Sequence, residues 1–197
     1  PALEPILEKV KRGERLTYDD GVTLYRSPDL LGVGYLANLV RERLHGRRAY
    51  FIRNQHINYT NVCVNGCRFC AFSRKKGEPG AYQMSLDEVF AIVRSMLDRY
   101  ISEVHVVGGL NPDLPYQYYL DMLRGIHDIR PEVHLQAFTV VEVAFIAEQA
   151  GKSVAETLSE LKGAGLGSIP GGGAEVFSGR IRRELCDKKL SPEGYLN

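Results

Sequence analysis

Residues 56–72 read HINYTNVCVNGCRFCAF. His56, Asn58 and Thr60 alternate along the first part, the period of a β-strand, and the aromatic and β-branched content from Tyr50 to Val62 predicts a strand that runs up to the cysteines. Cys63, Cys67 and Cys70 follow at C-x3-C-x2-C spacing, with Phe69 directly before the last of them and Gly66 helping the loop to turn. Thiolates are the usual ligands of iron–sulfur clusters, and this spacing lets one loop wrap three corners of a cubane. A structural zinc site takes a fourth protein ligand, and none stands at suitable local spacing. The fourth iron would therefore be open to a small molecule. Cys186 stands alone far downstream and reads as a small buried hydrophobe or a spare thiol.

Beyond the cysteines the chain repeats strand, loop and helix, the signature of parallel βαβ units. Ser85 with Glu88 forms a capping box that predicts a helix to about Tyr100, and EVHVVGG is the next strand, ending in Gly108 and Gly109. Pro115 opens a helix to about Asp128, EVHLQAF is the third strand, and Thr139 with Glu142 and Ser153 with Glu156 cap two further helices. LGSIPGGGAE supplies a short fourth strand and a glycine-rich loop. Upstream, Thr17 with Asp20 caps one short helix, and Ser27 with Pro28 begins another that reaches Leu44. Ser191, Pro192 and Glu193 read as a last helix start.

Parity sorts the strand residues. Val104 and Val106 oppose Glu103 and His105, and Val133 and Leu135 oppose His134 and Gln136. If the apolar sets face the helices, the lumen is polar and suits a reaction chamber, whereas a structural barrel core favours Val, Ile and Leu. The fold class read here is α/β, a partial (β/α) TIM-like barrel truncated after about four βα units, since a closed barrel needs ~250 residues. Residues 1–49 form a helical segment packing on the barrel, and residues 50–197 form the amino-terminal part of the barrel itself.

At 197 residues and 44% hydrophobic content the chain buries a real core. Its 25 Lys and Arg nearly cancel 24 Asp and Glu, leaving a formal charge of +1 and no dense basic stripe, which disfavours a nucleic-acid partner. No apolar run approaches the ~20 residues that cross a bilayer, and the amino end is too charged for a signal peptide, so no membrane partner and a cytoplasmic location are expected.

The cysteine triplet with its aromatic, after a first barrel strand, resembles the radical S-adenosylmethionine superfamily. That resemblance implies a 4Fe-4S cluster on Cys63, Cys67 and Cys70, S-adenosylmethionine chelating the open iron, and an external electron donor such as flavodoxin or ferredoxin. VVGGLNPDLPYQYYLDMLRGI, LQAFTVVEV and GLGSIPGGGAEVF extend the likeness to the futalosine-pathway branch, which serves menaquinone synthesis. VVGGLNP and AFTVVE are more similar to the synthases of that branch than to its cyclases, which implies a small aromatic carboxylate as substrate. The resemblance places Phe69, Gly108, Gly109, Glu142 and Ser168 at the cofactor; it assigns no catalytic residue.

Each of these residues has a plainer explanation. The glycine pair also suits a tight βα turn, and many members follow it with Glu where this chain has Leu110, and with His where it has Asn111. Glu142 is complete as a helix cap, and Ser168 as a strand-end hydroxyl satisfying its own loop. Gly171, Gly172 and Gly173 either cradle an anion or supply positive φ. His105 and His134 are interior or lumen histidines, and Arg74, Lys75 and Lys76 either attract an anionic substrate or form a solvated charge run. An iron–sulfur protein without catalysis stays open on the residues alone.

Overall fold

The computed structural model describes residues 2–196. The chain divides into two compact units, one running to Phe51 and the other from Ile52 onward.

The first unit is three helices, α1 (Glu4–Arg12), α2 (Tyr18–Arg26) and α3 (Leu30–His45). Ile6 and Val10 of α1 bury themselves with Leu36 of α3. The expected Thr17 cap is present: Thr17 Oγ1 accepts from the Asp20 amide at 3.3 Å while the Asp20 carboxylate accepts from the Thr17 amide at 2.8 Å. Two details differ from the sequence reading. Helix α1 was not foreseen, although Pro5 in its first turn and Gly13 at φ 73° behind it are the usual start and stop residues. Helix α3 is capped by Asp29, not Ser27, because Pro28 pushes its predecessor out of helical space and the Asp29 carboxylate reaches the Gly32 amide at 2.8 Å.

The second unit is built on three parallel strands in the order β1 (Asn54–Ile57), β2 (Glu103–Val106) and β3 (His134–Ala137). Helices α4 (Leu86–Arg94) and α5 (Tyr116–Ile129) connect them, and α6 (Val140–Ala150), α7 (Val154–Gly163), α8 (Gly179–Leu185) and α9 (Pro192–Leu196) follow. The capping boxes of Ser85, Thr139 and Ser153 all form. Register pairs His56 with His105 and His105 with Gln136, so one face of the sheet carries a polar row. Ile57, Val104, Val106, Leu135 and Ala137 take the other face, buried against Val89, Met122, Ile126, Ile146 and Leu161 of the helices. The parity reading therefore holds, and the polar row is left for the lumen side.

Three elements are shorter than expected. Strand β1 covers only four of the residues from Tyr50 to Val62, because past Ile57 the backbone leaves β2 and pairs with the segment before α4: Met84 donates its amide to the Tyr59 carbonyl at 2.9 Å and Thr60 bridges Gln83. Thr60 is thus out of the lumen row, with its hydroxyl donating to the Tyr82 carbonyl at 2.8 Å. Helix α4 stops at Arg94, where Ser95 Oγ turns back onto the Ile92 carbonyl at 2.6 Å. The expected fourth strand is one parallel bridge, Gln136 to Ser168.

Candidate functional site

The loops that leave the carboxyl ends of the strands enclose a cavity of about 450 Å³. Open α/β sheets bind ligands at this end because the connecting loops, not the ladder, have side chains and backbone groups to spare. The cysteine loop forms one wall. It is anchored by its backbone: Cys63 donates to the Arg74 carbonyl at 3.0 Å, Val64 to Leu110 at 3.1 Å, and Arg68 to Leu185 at 2.9 Å. Gly66 takes φ 56° and lets the loop turn back, so that Cys63, Cys67 and Cys70 all line the cavity as free, half-buried thiols. Phe69 lines it too and is 49% exposed.

The glycine pair is required by space. Neither Gly108 nor Gly109 has positive φ, but a β-carbon on Gly108 would stand 2.7 Å from the Tyr59 ring, and one on Gly109 would stand 2.2 Å from the Val62 carbonyl oxygen. Only glycine lets the end of β2 press against the entry to the cysteine loop. Gly108 donates its amide to Glu142 and Gly109 its amide to Thr60, both at 2.9 Å. No protein donor reaches either glycine carbonyl among the described residues, and both glycines line the cavity.

Glu142 is more than a cap. It is 2% exposed; its Oε2 accepts from the amide and the hydroxyl of Thr139, both at 2.8 Å, and its Oε1 accepts from the Tyr59 hydroxyl and the Gly108 amide, both at 2.9 Å. Burial raises its pKa above the ordinary carboxylate range, while these four donors pull it back. Tyr59 is buried, and burial with the facing carboxylate lifts its phenol well above the ordinary value. Tyr59 thereby links the cysteine loop, the glycine pair and the start of α6. Sequence reading missed it, since a Tyr before a loop reads as one more core aromatic.

Other expected positions fall elsewhere. Ser168 does not line the cavity; its hydroxyl sits 2.7 Å from His134 Nε2, and its carbonyl accepts from the Ala137 amide. Lys76 pairs with Asp113 at 2.8 Å, and Arg74 donates to the Ala71 and Ser73 carbonyls, so neither faces the cavity. In the glycine triplet only Gly173 has positive φ, 122°. His105 lines the cavity one layer below Val107, with its ring edge-on to His56 at 4.9 Å and its buried Nε2 without a partner. Cys186 is buried and lies close enough to Cys67 to act on its thiol, whose pKa burial raises and Lys189 opposes. Among the described residues no three His, Cys, Asp or Glu side chains gather tightly enough for a single metal ion. The donor set is three thiols spread around a cavity wall, and among the described residues no fourth cysteine lines it.

A parallel α/β sheet with a three-thiol loop behind its first strand defines a class of cluster-binding enzymes. Residues 57–197 match the Radical SAM superfamily, and the chain belongs to it. Members of that superfamily work with a 4Fe-4S cluster and S-adenosylmethionine. The chain is 43% identical over 196 residues to aminodeoxyfutalosine synthase of Thermus thermophilus, covering all of this chain and 53% of the relative. It is 41% identical over 159 residues to a 5-amino-6-(D-ribitylamino)uracil–L-tyrosine 4-hydroxyphenyl transferase of Methanopyrus kandleri, covering 81% of this chain and 43% of the relative. It is 36% identical over 197 residues to cyclic dehypoxanthine futalosine synthase of Halalkalibacterium halodurans, covering 53% of that protein. In fold it is similar to methylornithine synthase, with a TM-score of 0.70 at 19% identity over 97% of this chain and 53% of that one. The chain thus spans about half the length of the curated relatives it matches. Among the described residues no helix is long and apolar enough to cross a membrane.

Proposed function

We propose that Cys63, Cys67 and Cys70 hold a 4Fe-4S cluster and that the cavity beside them receives S-adenosylmethionine, with the methionyl ammonium donating to the carbonyls of Gly108 and Gly109. The observation that carries this reading is that three free thiols line one cavity together with Gly108 and Gly109, whose carbonyls have no protein donor among the described residues. When bound, the cluster supplies the electron that splits S-adenosylmethionine into methionine and a 5'-deoxyadenosyl radical.

The chain's own contribution is placement and exclusion. Phe69 shields the cavity side of the thiol loop. Glu142, with all four of its bonds to protein, fixes the glycine turn through the Gly108 amide. Ser168, held by His134 and outside the cavity lining, would have to turn its side chain to reach a bound ribose. The apolar walls keep water and stray hydrogen donors from a carbon radical.

The substrate of this reading is 3-[(1-carboxyvinyl)oxy]benzoate, whose vinyl carbon accepts the adenosyl radical. Aryl transfer from oxygen to carbon and loss of the carboxylate as carbon dioxide, with the one electron so released handed back to the oxidised cluster, then give 6-amino-6-deoxyfutalosine, in a cytoplasmic route to menaquinone with flavodoxin or ferredoxin as the initial electron donor. The 43% identity to a synthase against 36% to a cyclase supports this choice. Anaerobic reconstitution followed by mass spectrometry tests it: the synthase reading requires the adenosyl group joined covalently to product. Free 5'-deoxyadenosine in stoichiometric amount would instead mark a hydrogen-abstracting enzyme such as the cyclase.

A further inference from the structure

Lys189 is the one Lys or Arg among the described residues that line the cavity. Its side chain is 12% exposed and its ammonium lies 5.6 Å over the Phe69 ring centroid, so it stands beside the cysteine loop from 119 positions beyond Cys70 (189 − 70). Its placement is built. Arg182, itself buried, donates to the carbonyls of Ala174 and Val176 at 2.8 and 3.0 Å and to those of Lys189 and Leu190, clamping both ends of the segment together. The amide of Arg68 ties the same segment to the cysteine loop through the Leu185 carbonyl.

The partner that occupies Lys189 is Glu175, at 2.5 Å. Glu175 also lines the cavity, is about one-third exposed, and sits at φ 54°, a left-handed backbone that costs a residue with a β-carbon on the order of 1 kcal/mol. An ion pair with one wet member contributes little to stability, so strain at Glu175 is poorly explained by the pair alone. A carboxylate entering the cavity meets Lys189 on the same side and replaces Glu175 like for like, keeping the cation paired while Glu175 returns to water.

We propose that Lys189 is a carboxylate-binding residue of this cavity, kept in position by Glu175 until a ligand carboxylate displaces it. This rests on the reading that the cavity receives S-adenosylmethionine and an aromatic carboxylate, each of which carries the group; the cation at Lys189 and the free carbonyls of Gly108 and Gly109 together suit an amino-acid end.

The test is calorimetric binding to anaerobically reconstituted protein, comparing wild type with Lys189→Met and Glu175→Gln. The probes are S-adenosylmethionine, its decarboxylated analogue and 3-[(1-carboxyvinyl)oxy]benzoate. Lys189→Met keeps the apolar stem and weakens one carboxylate ligand by about tenfold or more, the loss expected of a charge-assisted contact. Binding of the decarboxylated analogue stays within about twofold of wild type. Loss on S-adenosylmethionine assigns the subsite to the methionyl carboxylate, and loss on the benzoate assigns it to the second substrate. Glu175→Gln, which frees Lys189, tightens the same ligand, and this arm decides the matter if Lys189→Met fails to take up iron. If wild type binds S-adenosylmethionine and both variants bind every probe as wild type does, the subsite is overturned and the functional reading stands. If iron-loaded wild type binds neither carboxylate, both fall.

Discussion

Tyr59 meets Glu142 through one hydroxyl, and that contact shows how much of the site hangs on single atoms. Tyr59→Phe keeps the ring that fills the space beside Gly108 but leaves a buried carboxylate one donor short. A loss of about 1–3 kcal/mol in urea unfolding is expected, the cost of an unpaired buried acceptor. Gly109→Ala acts through volume instead: the new methyl meets the Val62 carbonyl, so the cysteine loop shifts, and iron uptake on reconstitution falls while far-UV circular dichroism holds. Cys186→Ala is the matching control. Because Cys186 is buried behind the loop and does not line the cavity, this variant should bind as much iron as wild type, and a loss of one cluster equivalent would make it a ligand.

At the scale of elements, the caps are the most legible features. Thr17, Ser85, Thr139 and Ser153 each bond a residue three positions on, an interaction so local that four letters of sequence suffice to foresee it. Ser85→Ala, at an exposed cap with no further role, should cost about 1 kcal/mol of stability by denaturant titration. In the first unit Lys9, followed by the Thr17 amide, holds the Asp20 carboxyl down to about 2. A carboxyl depressed on folding stabilises above its unfolded pKa, and that stability is lost as pH falls through the folded one, so this pair weakens between about pH 4 and pH 2. Lys9→Met should move the Asp20 titration, followed by NMR, back toward the ordinary range. Strand limits were harder to foresee than helix starts. The run from Tyr50 to Val62 has strand composition throughout, but a ladder exists only where a partner runs beside it, and past Ile57 the neighbour is the approach to α4.

For the molecule as a whole, the division at Phe51 falls within a stretch of exposed apolar residues: Tyr50, Phe51 and Ile52 are 73%, 86% and 63% exposed. Chymotrypsin in limited amount should cut at Tyr50 or Phe51 first, and mass spectrometry should find a fragment beginning at or next to Ile52. A first cut inside the sheet unit would contradict the two-unit organisation. The polar row of His56, His105 and Gln136 belongs to this scale as well, because three separate strands supply it and only their register makes it a surface.

Sequence alone determined the local features: the helix caps, the parity of each strand and the thiol spacing, all of which involve residues within a few positions of one another. Tertiary packing decided which groups share the cavity. It brought Lys189 beside Phe69, set Tyr59 against Gly108 and Glu142, and turned Ser168 away onto His134. Those partners are separated by 34 to 120 positions (168 − 134 and 189 − 69), and their meeting depends on how the sheet, the clamp at Arg182 and the cysteine loop pack, which no short window of residues encodes.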